Sequence, residues 1–237
     1  MYTLMDAHPL TLVVVMSAML VVPFYLFAPY VFSGASARTG AILASIFVAW
    51  GALMTWFCLA QVHEGWGPLG QLITPVLWIT PSLLLFFFRD WALAKPLSQR
   101  WLIGLQIWRV IGFVFLIEYA RGNLPGVFAF PAGLGDVAVG LLAALVLWCY
   151  RNAKALPHLG IVTVLVVGIV DFMGAIFFGT TSSSGPIQLF THDALHDPLV
   201  FPTGLIPLFL VPYAIFFHTL SWLTLVEARK MALNPSH

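Results

Sequence analysis

The sequence predicts an all-α, polytopic integral membrane helical bundle, and three observations carry that expectation. Of its 237 residues, 61% are hydrophobic and only 8% are charged, whereas a soluble domain has roughly 25% charged residues with which to face water. The apolar residues fall in runs of about 18–24, the length at which a helix crosses a hydrocarbon core. The runs lack the alternation that marks the ~10-residue strands of a membrane barrel, and in lipid a helix satisfies its own backbone.

Seven transmembrane helices are expected, near residues 10–32, 40–61, 71–88, 101–120, 132–150, 159–180 and 203–226. The first is the apolar run from Leu10 to Phe32, and the second runs from Gly40 to Gln61, ahead of Gly65-Trp66-Gly67-Pro68. The third, Gln71–Phe88, contains Thr74-Pro75 and Thr80-Pro81, and Lys95-Pro96 punctuates the connector after it. The fourth, Trp101–Ala120, carries Gln106 and Arg109 and ends before Gly122-Asn123-Leu124-Pro125-Gly126. The fifth, Ala132–Tyr150, carries Asp136. The sixth, Leu159–Thr180, carries Asp171 and stops at Ser182-Ser183-Ser184-Gly185-Pro186. The seventh, Thr203–Val226, contains Pro207, Pro212 and His218. Gly, Pro, Asn and Ser in the connectors are turn formers. No connector is long enough to separate domains, so residues 1–237 read as a single domain.

Lys and Arg set the orientation. Arg38, Arg89, Lys95, Arg100, Arg151, Lys154, Arg229 and Lys230, eight of the ten basic residues, fall on one side. That side is expected to be cytoplasmic, which puts the N-terminus outside and the C-terminus in the cytoplasm, in a bacterial inner (plasma) membrane. Trp91, Trp101, Trp148 and Trp222 would then sit at headgroup level beside the basic loops. Ala35-Ser36-Ala37 looks like a signal-peptidase site, but the first ten residues contain no Lys or Arg and the run before it is too long for a signal core. A net charge of +1 without a basic cluster excludes nucleic acid as a partner. Cys58 and Cys149 fall at opposite faces, so no disulfide joins them. No nucleotide motif is present, so the chain does not drive ATP-dependent pumping alone.

An ionisable side chain in mid-bilayer costs several kcal/mol unless paired or hydrated, which singles out Arg109, Asp136, Asp171 and His218. At about 1.5 Å per residue they lie roughly 12–21 Å from the cytoplasmic ends of their spans, within reach of one layer. Ala132, Gly133, Gly140, Ala143 and Ala144 form a small-residue stripe around Asp136, and Gly168, Gly174 and Ala175 do the same around Asp171. Such stripes let helices approach closely in lipid. Gln106 extends the polar stripe of Arg109 by one turn. Two aspartates against one arginine leave one carboxylate unpaired. Arg109, Asp136, Asp171, Gln106 and His218 are therefore the candidate ligand- or proton-binding residues. Their bland alternative is an ion pair that fixes helix register.

Gly133-Leu134-Gly135-Asp136 resembles the glycine–any–glycine–aspartate signature of intramembrane aspartyl proteases, over four residues. That family carries its other aspartate upstream, whereas Asp171 is downstream, and the Pro-Ala-Leu element of its presenilin branch is missing from the later spans. Interior prolines free backbone carbonyls, which broken transporter helices use at binding sites; simple kinking explains them as well.

Pro186 and Pro198 frame an expected short interfacial helix in the longest connector. On it His192 and His196 would be i,i+4 neighbours able to hold a divalent metal, zinc or copper, with Asp193 or Asp197 supplying an oxygen and His63-Glu64 on the same side. These features support three functional classes. The first is binding or transport of a small molecule, ion or proton at the polar intramembrane site. The second is a metal-dependent membrane-embedded enzyme using His192 and His196. The third is a non-catalytic subunit or assembly factor with partners in a membrane complex.

Overall fold

In the computed structural model, residues 6–32, 37–87, 89–93 and 97–233 are described, with side chains for all of these except 26–32, 37–44, 47, 64–65, 91–92 and 231–233. Ala35, Ser36 and Lys95, and the side chains of Arg38, Glu64 and Trp91, lie outside the described residues. The chain is helical, and no strand occurs among the described residues. Its helices are α1 (Pro9–Phe32), α2 (Ala37–Leu59), α3 (Pro68–Phe87), α4 (Arg89–Leu93), α5 (Gln99–Gly104), α6 (Phe113–Ala120), α7 (Gly126–Cys149), α8 (His158–Ser182) and α9 (Val211–Leu233).

Five helical stretches are long and apolar enough to cross a membrane, a result compatible with a membrane protein: Pro68–Phe87, Gln99–Ala120, Gly126–Cys149, His158–Ser182 and Ile206–Lys230. In α1 and α2 the described apolar stretches, Pro9–Tyr25 and Val48–Leu59, are shorter. Burial is inverted relative to a water-soluble protein. Leu20 is 78% exposed and Leu159 76%, while Arg109 and Glu118 are at 0%. Lipid removes the reason to hide leucine and gives every charge a reason to be inside.

The spans expected at 101–120 and 203–226 are not continuous α-helices. Between α5 and α6 the chain tightens into a 3₁₀ turn over Ile107–Gly112, where Arg109 N–H reaches the Gln106 carbonyl three residues back at 3.2 Å. A 3₁₀ stretch inside a helix commonly marks a functional position, and this one carries Arg109. Before α9, Ile206–Leu210 form a π turn in which Val211 N–H bonds the Ile206 carbonyl five residues back. In that register the Pro207 carbonyl would await the N–H of residue 212, which is a proline and has none. Trp78 Nε1 of α3 supplies the hydrogen bond instead, at 2.7 Å. The freed carbonyl is thus closed within the protein and not left to a ligand. Helix α7 begins at Gly126, earlier than the 132 expected, because Pro131 is accommodated inside it.

The bundle has two distinct ends. At one, His8 N–H donates to Glu118 Oε1 (2.9 Å), and the Leu195 and His196 N–H groups donate to the Gly122 and Asn123 carbonyls (3.0 and 3.1 Å). This loop end gathers the start of α1, the α6–α7 turn and the segment after α8. At the other, Arg89 meets Glu227 (3.5 Å), Gln99 meets Ser221 (2.9 Å) and Arg100 reaches the Tyr150 carbonyl (2.7 Å). This basic end joins the last turn of α3, the starts of α4 and α5, the end of α7 and the later half of α9.

Candidate functional site

Arg109 stands at the centre of the bundle with no exposed surface. Its Nε donates to Asp136 Oδ1 of α7 at 2.8 Å, and its Nη2 donates to Asp171 Oδ2 of α8. The guanidinium carbon lies 4.0 Å from the Phe172 ring centroid, a cation–π contact strengthened by the burial of Arg109. Both carboxylates therefore share one arginine, where the sequence led us to expect one of them to be unpaired. With all three ionised, the cluster carries one excess negative charge.

Glycines make this convergence sterically accessible. A Cβ on Gly112 would stand 2.5 Å from Asp136 Cβ, and one on Gly140 would stand 2.9 Å from Val110 N. A Cβ on Gly135 would overlap Asp171 Oδ1 and lie 2.7 Å from its Cγ. The stripe on α7 thus presses against the 3₁₀ turn and against α8. Gly168 works in the same way, since a Cβ there would be 2.7 Å from His218 Cε1 and 3.2 Å from Arg109 Nη1. Gly174 does not, because nothing lies within 4 Å of where its Cβ would be, so the stripe expected around Asp171 ends short of it.

His218 places Nε2 2.8 Å from the Leu165 carbonyl. A carbonyl only accepts, so Nε2 carries the hydrogen in this bond. Gln106 is buried but joins no carboxylate, and its side-chain amide has no hydrogen-bond partner among the described residues. Sequence reasoning missed Glu118, which is buried at the loop end and accepts from Asn123 Nδ2 at 2.6 Å. Its signal was a carboxylate two residues inside the end of an apolar run.

Two cavities lie between the cluster and the loop end. The inner one, of about 30 Å³, is walled by Trp78, Phe115, Phe128, Ile206 and Pro207 and reaches Asp136. That is room for about one water molecule, whereas an organic ligand needs roughly 300 Å³ or more. The second is a polar bowl of about 570 Å³, lined by His63, His192, His196, Asp197 and Gln188 among others. Gln71, Ser183 and Leu199 line both.

The interfacial helix expected between Pro186 and Pro198 is not formed. Leu189 and Phe190 N–H groups both bond the Thr181 carbonyl (2.8 and 3.0 Å), and the Leu195 and His196 backbones are tied to the α6–α7 turn. Without the helix, His192 and His196 lose their one-turn spacing. His192 Nε2 faces the Ser182 carbonyl at 2.9 Å and Asp197 Oδ1 at 3.5 Å, and Asp193 is exposed. Among the described residues, no group of three His, Cys, Asp or Glu could hold a metal ion. The i,i+4 helical geometry expected for His192 and His196, with Asp193 beside them, is therefore not the one formed. Burial holds the imidazoles of His63 and His196 below their ordinary protonation range, with Asp197 pulling each in the opposite direction.

Residues 67–226 match a family model described as a domain of unknown function (DUF8737), a segment containing Arg109, Asp136, Asp171, His218 and Gln71. No curated protein and no solved structure matches the chain.

Proposed function

The chain belongs to the DUF8737 family, and from that premise we propose that it is a multi-pass inner-membrane protein with a proton-linked binding or transport site at Arg109, Asp136 and Asp171. One observation carries the reading: two buried carboxylates converge on a single guanidinium at the foot of a cavity with space for about one water. Adding one proton brings that cluster to neutrality. The small cavity favours a proton over an organic ligand as the species that reaches Asp136. Buried ionisable groups inside spans commonly serve as proton relays. His218 stands beside Arg109 where a Cβ on Gly168 would fall, and is a further titratable group next to the cluster.

Seven spans are part of the proposal. Helices α1 and α2 have 24 and 23 residues, about 35 Å at 1.5 Å per residue, enough for a core of about 30 Å. The basic end faces the cytoplasm by the distribution of Lys and Arg, and the loop end, with the N-terminus, faces outward.

The test uses purified chain in liposomes that enclose a pH-sensitive dye, with an imposed pH step. Proton uptake above that of protein-free liposomes is expected, and Asp136→Asn should abolish it while leaving the thermal unfolding temperature within a few degrees. Uptake no faster than in empty liposomes would reduce the cluster to an ion pair that fixes helix register.

A further inference from the structure

We propose that Gln71 is the specificity-determining residue of the route to Asp136, a side-chain latch that admits water and protons and excludes larger solutes held in the bowl. The inference rests on the proton-linked reading of the Arg109 cluster and names how access to that site is controlled. Gln71 lies in the first turn of α3, only 6% exposed, and it lines both cavities. Its amide spans the space between α3 and the segment after α8. Nε2 donates to the Ser183 carbonyl at 2.8 Å and to the Thr180 carbonyl at 3.4 Å, and Oε1 accepts from Ile187 N–H at 3.0 Å.

These bonds satisfy carbonyls that the end of α8 leaves without intrahelical partners. They also tie Ser183 and Ile187 to α3, and Ser183 stands where the two cavities meet. Gly185 lies flat against the amide at φ +144°, and a Cβ there would come within 2.7 Å of Gln71 Oε1 and 2.8 Å of Cδ. Glycine suits both the backbone conformation and the close approach. On one side of the amide is a bowl of about 570 Å³, and on the other an apolar space of about 30 Å³. Among the described residues, none other than Gln71, Ser183 and Leu199 borders both. Of these, Gln71 ties α3 to the segment after α8 through its side chain, whereas Ser183 Oγ bonds the Gly179 carbonyl one turn back on its own helix. With it in place, a solute that fits the bowl does not reach Asp136.

The experiment places a reporter cysteine on the inner wall, Ala132→Cys, in a chain carrying Cys58→Ala and Cys149→Ser. A small charged methanethiosulfonate is then applied from the loop end in proteoliposomes. With Gln71 intact the reporter should react slowly. Gln71→Ala and Gln71→Glu should each speed labelling by at least about tenfold, the order expected when buried hydrogen bonds that hold an opening equilibrium are removed. If a Gln71 variant does not fold, Gly185→Ala displaces the same amide through its Cβ and should give the same acceleration. An unchanged rate in folded variants would overturn the latch. So would a wild-type rate as fast as that of Ser184→Cys in the bowl. Repeating the series with Asp136→Asn separates the two readings, because labelling reports access whether or not Asp136 binds a proton.

Discussion

Arg109 has five N–H donors and two carboxylates to serve, and that imbalance makes its removal costly. Breaking a buried ion pair on one side leaves an uncompensated charge, typically at about 3–5 kcal/mol. Arg109→Leu is therefore expected to lower the unfolding temperature in detergent sharply. Adding Asp136→Asn and Asp171→Asn should return part of the loss, because no charge is then stranded. Strictly additive losses in that series would show that the three side chains are not coupled. At the bowl, His63 and His196 have their protonation shifted down from the ordinary 6.5, first by burial, against the pull of Asp197. A depressed histidine binds its proton later in the folded chain than in the unfolded one. Its stability contribution is therefore complete above the ordinary value and is lost as pH falls below it. Unfolding temperature should thus decline between about pH 7 and pH 5, with a shallower decline in His63→Phe. Equal slopes for the two proteins would count against this assignment.

Among the helices, the glycines of the 3₁₀ turn, α7 and α8 offer a matched comparison. Gly135→Ala forces a Cβ onto Asp171, and Gly112→Ala forces one onto Asp136, so each should destabilise by about 1–3 kcal/mol through overpacking. Gly174→Ala meets open space and should be neutral or stabilising by up to about 1 kcal/mol, since alanine is the better helix former. Chemical denaturation of the three variants checks this, and a Gly135→Ala variant as stable as wild type would dissolve the close α7–α8 approach. The small-residue spacing on α7 was legible because helical periodicity brings 132, 133, 136 and 140 onto one face. Which partner that face meets was not legible, since nothing in the residues 107–112 announces a 3₁₀ turn. The loop was misread for a related reason. Pro186, Pro198 and the histidine spacing are local signals for a helix, but the backbone there bonds to Thr181, Gly122 and Asn123, and those distant partners prevail over local pattern. Gln71 showed no signal at all, because its importance comes from meeting residues more than a hundred positions away.

For the molecule as a whole, the proposed orientation is open to direct measurement. A reporter active only outside the cytoplasm should function when inserted after Gly70 or within 184–197, and should be silent after Arg151 or at the C-terminus. The reversed pattern would invert the topology, and activity at both the loop end and the C-terminus would rule out the odd number of spans. Five helical stretches long and apolar enough to cross a membrane were legible from composition, because lipid imposes so narrow a choice. That Arg109 meets an aspartate was legible from depth and the small-residue faces, whereas its service to both carboxylates was not. The hydrogen bond from Trp78 to the Pro207 carbonyl bears on how such a chain is made. In the proposed topology the last span enters the membrane with a backbone acceptor that its own helix does not satisfy, and its donor sits on a helix synthesised more than a hundred residues earlier. An unsatisfied carbonyl in hydrocarbon costs several kcal/mol, so the stretch Ile206–Lys230 on its own is a poor lipid-embedded helix. Its insertion is completed by docking against α3, and Trp78→Phe should show up first as slow or incomplete membrane integration of the C-terminal span, before any defect at the charged centre.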